Sequence, residues 1–177
     1  GGDFIMIRDI QNIDDDIIRA KRIIKEKLIN DPDVIEVLDN PKLDPEEPDT
    51  YVNENIFDYI RIPGTTTDKK NFICFDVKQD GMIDKNNHMK SLVYIFNVYA
   101  YEDTIDTKYG ISRHDLLAYL IRDIFNYSNI FGTQLTLVQN TPGIADAYWS
   151  SRSLWFKAET PAGLQRAVRT NKYEFPT

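Results

Sequence analysis

Apolar residues recur along this chain with two different periods, and the change from one to the other falls near residue 56. Before that point the spacing is helical. Ile17, Ile24 and Leu28 line one side of residues 13–30, with Ile18 and Ile29 widening the stripe. Asp14, Asp15 and Asp16 crowd the start of this segment and Lys25 and Lys27 lie near its end, as a helix dipole favours. Asp31-Pro32 stops it and begins a short second helix, with Asp31 as the cap, Pro32 in the first turn, and Val34, Ile35, Val37 and Leu38 as its apolar side. Residues 39–55 hold Pro41, Pro45, Pro48 and several acids, and read as an extended arm over the surface.

From residue 56 the period is two. Residues 56–62 predict a strand stopped by Pro63-Gly64, and 71–78 predict another with Ile73, Phe75 and Val77 on one face. Residues 88–101 are apolar on both faces, which places them in the middle of a sheet. A helix over 113–126 follows, with Ser112 and Asp115 in capping-box spacing and Leu117, Leu120, Ile121 and Ile124 as its buried stripe. Strands over 134–139 and 153–159 come last, and the tail from Pro161 has no clear period. The fold class is therefore α+β: a mostly antiparallel sheet of about four to five strands packed by helices on one face, with an N-terminal helical segment and extended arms. Its parts are 1–55, the helices and Pro-rich acidic arm; 56–160, the α+β core domain; and 161–177, the tail.

Composition narrows the function. A hydrophobic share of 42% and a charged share of 28% exclude disorder throughout. The net charge of −7 disfavours tight binding to nucleic acid, which needs basic groups against the phosphates. The charge is uneven: acids far outnumber bases in 1–55, whereas 150–177 is basic through Arg152, Lys157, Arg166, Arg169 and Lys172. The single cysteine, Cys74, forbids an internal disulfide and fits a reducing compartment. No apolar run approaches the ~20 residues that span a bilayer, and no signal-peptide pattern opens the sequence. A soluble chain made in a cytosol is the expectation.

Candidate chemistry is sparse. His88 and His114 have no Cys or carboxylate partner at a spacing typical of metal ligands, and Cys74 lies in an apolar strand. The stretch from Asp80 to Asn87 lacks the acid register and closing Glu of a calcium loop. Asp76-Val-Lys78, with Asp49 or Asp58 upstream, has the spacing with which metal-dependent nucleases hold a divalent ion and support the attacking water. The tripeptide is common by chance and the chain is acidic. No catalytic residue, cofactor or metal site is expected, and the chain is not expected to be an enzyme.

The later half carries a resemblance. Gly110-x-Ser112-Arg113-x-Asp115-Leu116-Leu117 opens a helix after a long strand, and Leu135-Thr-Leu137-Val138 follows. Tyr148 and Ser151-Arg152-Ser153-Leu154-Trp155-Phe156 then close the pattern. Over residues 70–160 this resembles the neck and tail-completion proteins of tailed bacteriophages, tail terminators included. The long N-terminal part departs from that pattern. The resemblance implies a structural virion protein at the head–tail junction, assembled in the host cytoplasm. It implies a homo-oligomeric ring, often a hexamer, that contacts the tail tube protein and the head connector or other neck proteins, with no specific nucleic-acid partner and no membrane. Tyr51, Arg61, Trp149, Arg152 and Trp155 are the interface candidates, with Arg113 open between a local ion pair and a partner contact. Tyr148, Trp149 and Trp155 are expected to be exposed. A cytosolic adaptor module and the nuclease are the alternatives.

Overall fold

The computed structural model describes residues 8–64, 69–82, 88–143 and 146–161. Among these residues three α-helices, α1 (Asp16–Ile29), α2 (Pro32–Leu38) and α3 (Arg113–Phe125), accompany five strands: β1 (Ile56–Phe57), β2 (Phe72–Met82), β3 (Met89–Tyr101), β4 (Thr136–Gly143) and β5 (Trp149–Pro161). The sheet order is β1-β2-β3-β5-β4, and every pairing is antiparallel except β1 with β2. The α+β class and the central place of the long third strand match the expectation. The tail beyond residue 161 and the turn at 83–87 lie outside the described residues.

Alternation along the strands decides which side is packed. Ile73, Phe75 and Val77 of β2, Tyr94, Phe96 and Val98 of β3, and Leu154, Phe156 and Ala158 of β5 share one buried cluster with all three helices. Ala20, Ile24 and Leu28 enter it from α1, and Leu117, Ile121 and Phe125 from α3. Phe96 lies at its centre, with ring centroids 4.9 Å from Phe125 and 5.6 Å from Phe156. The helices therefore cover one face and leave the other to different elements.

The caps explain where the helices begin. Asp15 accepts from the Ile18 N–H at 2.9 Å, so α1 starts three residues later than the apolar pattern suggests. Asp31 accepts from the Asp33 and Val34 N–H groups and starts α2. At α3 the capping-box expectation fails: the Ser112 side chain makes no capping bond. Asp115 is instead drawn to Arg152 of β5, whose Nε lies 2.8 Å from its Oδ1. An ion pair between elements wins over a local cap.

Residues 39–55 do not form a free arm. They fold back through turns and a short 3-10 helix (Pro48–Tyr51), and Tyr51, 1% exposed, belongs to the main core. Buried amides hold the return. The Asn55 Nδ2 donates to the Asn71 carbonyl at 2.7 Å, and the Asn71 Nδ2 donates to the Leu38 carbonyl at 3.1 Å. Asn71 Oδ1 accepts from the Tyr101 N–H at 3.0 Å. The expected strand over 56–62 is likewise cut to two residues. Lys21 donates to the Asp58 carbonyl at 2.8 Å and Lys25 pairs with its carboxylate at 3.0 Å, which turns the chain away from β2 toward α1.

Arg113 ties this end of the molecule together. It is 7% exposed, and its Nε donates to the Thr104 carbonyl at 2.7 Å while Nη1 donates to the Val37 carbonyl. Asp39, in left-handed backbone at φ 48 just past α2, brings its carboxylate to 3.5 Å from Nη2. The open choice between a partner contact and an internal role is settled by this fork: Arg113 is an internal clamp on the C-terminal end of α2. Arg113→Ala should lower the unfolding free energy by about 3 kcal/mol, because it strands buried carbonyls as well as removing charged hydrogen bonds. Urea titration with an unchanged denaturant slope checks this, and Arg113→Lys should recover less than half of the loss because an ammonium lacks the planar fork.

His114 adds a pH dependence. Its imidazole is held below the usual histidine range by burial, with Asp115 opposing and Arg152 adding to that effect. The unfolded chain therefore takes up this proton more readily than the folded one, so the contribution to stability falls as pH drops through the unfolded value near 6.5. The fall in Tm from pH 7.5 to 5.5 should be smaller in His114→Gln than in the parent, measured by thermal unfolding at both pH values.

Candidate functional site

The face of the sheet turned away from the helices is built from the alternate residues of the same strands. At one end it is filled by a small second cluster of Phe57, Phe72 and Cys74 with Tyr99 packed on it. Tyr99 stacks on Phe72 at 4.7 Å, and the Arg61 guanidinium lies over Phe57 at 4.5 Å and over Phe72 at 5.8 Å. The Cys74 thiol donates to the Arg61 carbonyl at 3.7 Å, and burial pushes it up to about 11, so it is a packing group and not a nucleophile. Trp149 packs edge-on against Tyr101 at 5.1 Å and its Nε1 donates to the Lys70 carbonyl at 3.5 Å.

Farther along, none of these covering groups among the described residues reaches the face, although Val93 and Ser91 of β3 are buried again beyond Ile95, at 4% and 6% exposure. Asp76, Ile95, Trp155 and Gln139 stand side by side across β2, β3, β5 and β4. The next row toward the filled end is Cys74, Asn97, Ser153 and Thr141. Ile95 and Trp155 are half-buried, Trp155 Nε1 donates to Ser153 Oγ at 3.2 Å, and Lys78 Nζ lies 4.9 Å from the indole ring centre. An aliphatic–aromatic pair thus has amides, hydroxyls and charges around it, an apolar centre inside a polar rim.

The five residues singled out from sequence are dispersed. Tyr51 is a core residue and Trp149, 6% exposed, is buried where exposure was expected. Arg61 is laid over two rings, and Arg152 is engaged with Asp115 and with Asn140 Oδ1 at 3.2 Å. Trp155 lies on the face opposite the described helices and is partly buried where exposure was expected, and Tyr148, 56% exposed, is open as expected. Sequence reasoning missed Ile95 beside Trp155, and it missed Ile60, Ile62 and Val138, which are 44%, 81% and 56% exposed. The period-two signal at 60 and 62 predicts a strand over 56–62, and it does not say which of its residues stay exposed.

The nuclease-like spacing meets the wrong surroundings. Asp76 Oδ1 lies 2.8 Å from Lys21 Nζ, and Asp58 Oδ2 is held by Lys25, so lysines of α1 take up both carboxylates. Lys78 lies 3.8 Å from Asp80 and faces the Trp155 ring. Among the described residues no group of three or more His, Cys, Asp or Glu side chains could hold a metal ion. A cleft of about 430 Å³ has Lys42, Lys69 and Lys70 among its lining residues, but Asp39 and Glu54 line it too and Lys70 pairs with Glu54 at 3.4 Å. Its charges answer one another. Among the described residues no helix is long and apolar enough to cross a membrane.

The family model for YomW matches residues 9–158, which takes in all three helices and reaches from the first helix almost to the end of β5. No curated protein matches the chain. With a match over so much of its length, the chain belongs to the YomW family, a phage-associated family.

Proposed function

We propose that this chain is a structural protein of the phage neck, a ring-forming subunit that completes or terminates the tail and joins it to the head. The observation that carries the reading is the partly buried Ile95–Trp155 pair on the sheet face opposite the described helices, framed by Asn97, Ser153, Thr141 and Gln139. Such a patch stabilises by excluding water on contact with a complementary surface, and a Trp at its centre is a common source of most of the contact energy. The net charge of −7 also suits a subunit beside a DNA passage, because like charge keeps phosphates from sticking. Its partners in this reading are further copies of itself, the tail tube protein and the head connector or other neck proteins. The work is association, with no catalytic step.

A phage that encodes this chain, with its gene deleted, should give filled heads and tails that remain apart under negative-stain electron microscopy. Complementation with the double variant Ile95→Glu, Trp155→Glu should fail in the same way, provided its thermal unfolding matches the parent. Normal joined particles from the deletion would end the reading. Cleavage of DNA by the purified chain with Mg²⁺ or Mn²⁺, abolished in Asp76→Ala, would replace it with the nuclease.

A further inference from the structure

Edge strands expose unpaired N–H and C=O groups, and folded proteins usually blunt them with charge. β4 is different. It stands at one end of the sheet, and residues 136–143 contain no charged side chain in a chain that is 28% charged. The beginning of this strand is already covered. The Tyr127 N–H donates to the Leu135 carbonyl at 2.8 Å, and the Leu137 N–H donates to Asn126 Oδ1 at 2.9 Å. Pro142 lacks a donor and limits pairing at the other end. Among the described residues nothing further pairs with the outer edge of residues 138–141, a stretch led by the exposed Val138.

The opposite end of the sheet presents the converse. After β1, residues 59–62 run on without belonging to any helix or strand. Arg61 is laid against the rings of Phe57 and Phe72, and Tyr59 meets Phe57 edge-on at 5.6 Å. Ile60 and Ile62, the intervening residues, are 44% and 81% exposed, and Tyr59 is itself 48% exposed. Two exposed β-branched side chains two residues apart are what a strand joining a sheet would present. Pro63 ends this stretch as Pro142 ends the other, and it biases Ile62 to extended backbone.

We propose that the open edge of β4 accepts residues 59–62 of a second copy of this chain as an added strand. Backbone groups of 138–141 supply the hydrogen bonds, and the exposed Val138 gives the isoleucines an apolar neighbour. Because donor and acceptor lie at opposite ends of the order β1-β2-β3-β5-β4, each copy offers its donor end to the acceptor end of the next. Such a head-to-tail contact propagates in one direction and closes into a ring when the rotation allows. This rests on the assembly reading above and specifies its contact.

The test uses two full-length variants, Ile62→Cys and Val138→Cys, purified reduced, mixed, and oxidised mildly. Cys74 is buried and stays out of the reaction. The expected result is a mixed disulfide between the two variants, mapped by peptide mass, forming well ahead of the disulfide within either variant alone. Sedimentation equilibrium of Ile62→Glu should show self-association weakened on the order of tenfold or more, since a charge is placed in a strand pairing. A chain that self-associates without forming the mixed disulfide overturns this contact and leaves the assembly reading standing. A chain that stays monomeric at high concentration and forms no mixed disulfide overturns both.

Discussion

One buried guanidinium decides how the parts of this molecule meet. Arg113 begins α3, yet its side chain satisfies carbonyls of α2 and of the turn that leaves β3. The last carbonyls of a helix have no partner inside it, and a cation there also meets the negative end of the helix dipole. Asn71 does the neutral version of the same work, donating to Leu38 while accepting from the Tyr101 N–H. Between them, α2, the returning turn and the end of the central strand are fixed as one corner. The helix layer then has a single way to lie on the sheet, and the opposite face is left to its own short covering.

That uneven covering gives the face its character. Phe57 and Arg61 reach across one end, and Trp149 closes beside Tyr101. Nothing comparable among the described residues crosses Ile95 and Trp155, so the same strands that make a dry core on one side hold a half-wet apolar pair on the other. Lys78 resting on the indole is a mild substitute for a lid, since a cation over a ring keeps its own contact with water.

Much of the fold could be read from periodicity. The helices over Asp16–Ile29 and Arg113–Phe125 and the strands β2, β3 and β5 declare themselves because each buries one regular stripe against the same core. The return through 39–55 was illegible for a physical reason. Proline and acid describe its solvent side, whereas its attachment depends on Tyr51, Asn55 and Asn71 finding partners distant in sequence. The short first strand failed for a related reason, since lysines of α1 capture Asp58 and no local signal announces that. Trp149 and Trp155 share a face by parity, six residues apart on one strand. Their different exposure comes from Tyr101 and the Lys70 carbonyl lying over the first, which alternation alone cannot reveal.

The pairing of β3 with β5 runs from Met89 opposite Pro161 to Tyr101 opposite Trp149 without a break, while the flanking ladders each contain an irregularity. Force applied along those two strands loads every rung of the ladder at once, so they must slide together or not at all. Force applied across the outer strands meets the rungs one after another and peels them. The molecule is thus stiff along one axis at its middle and compliant at its margins.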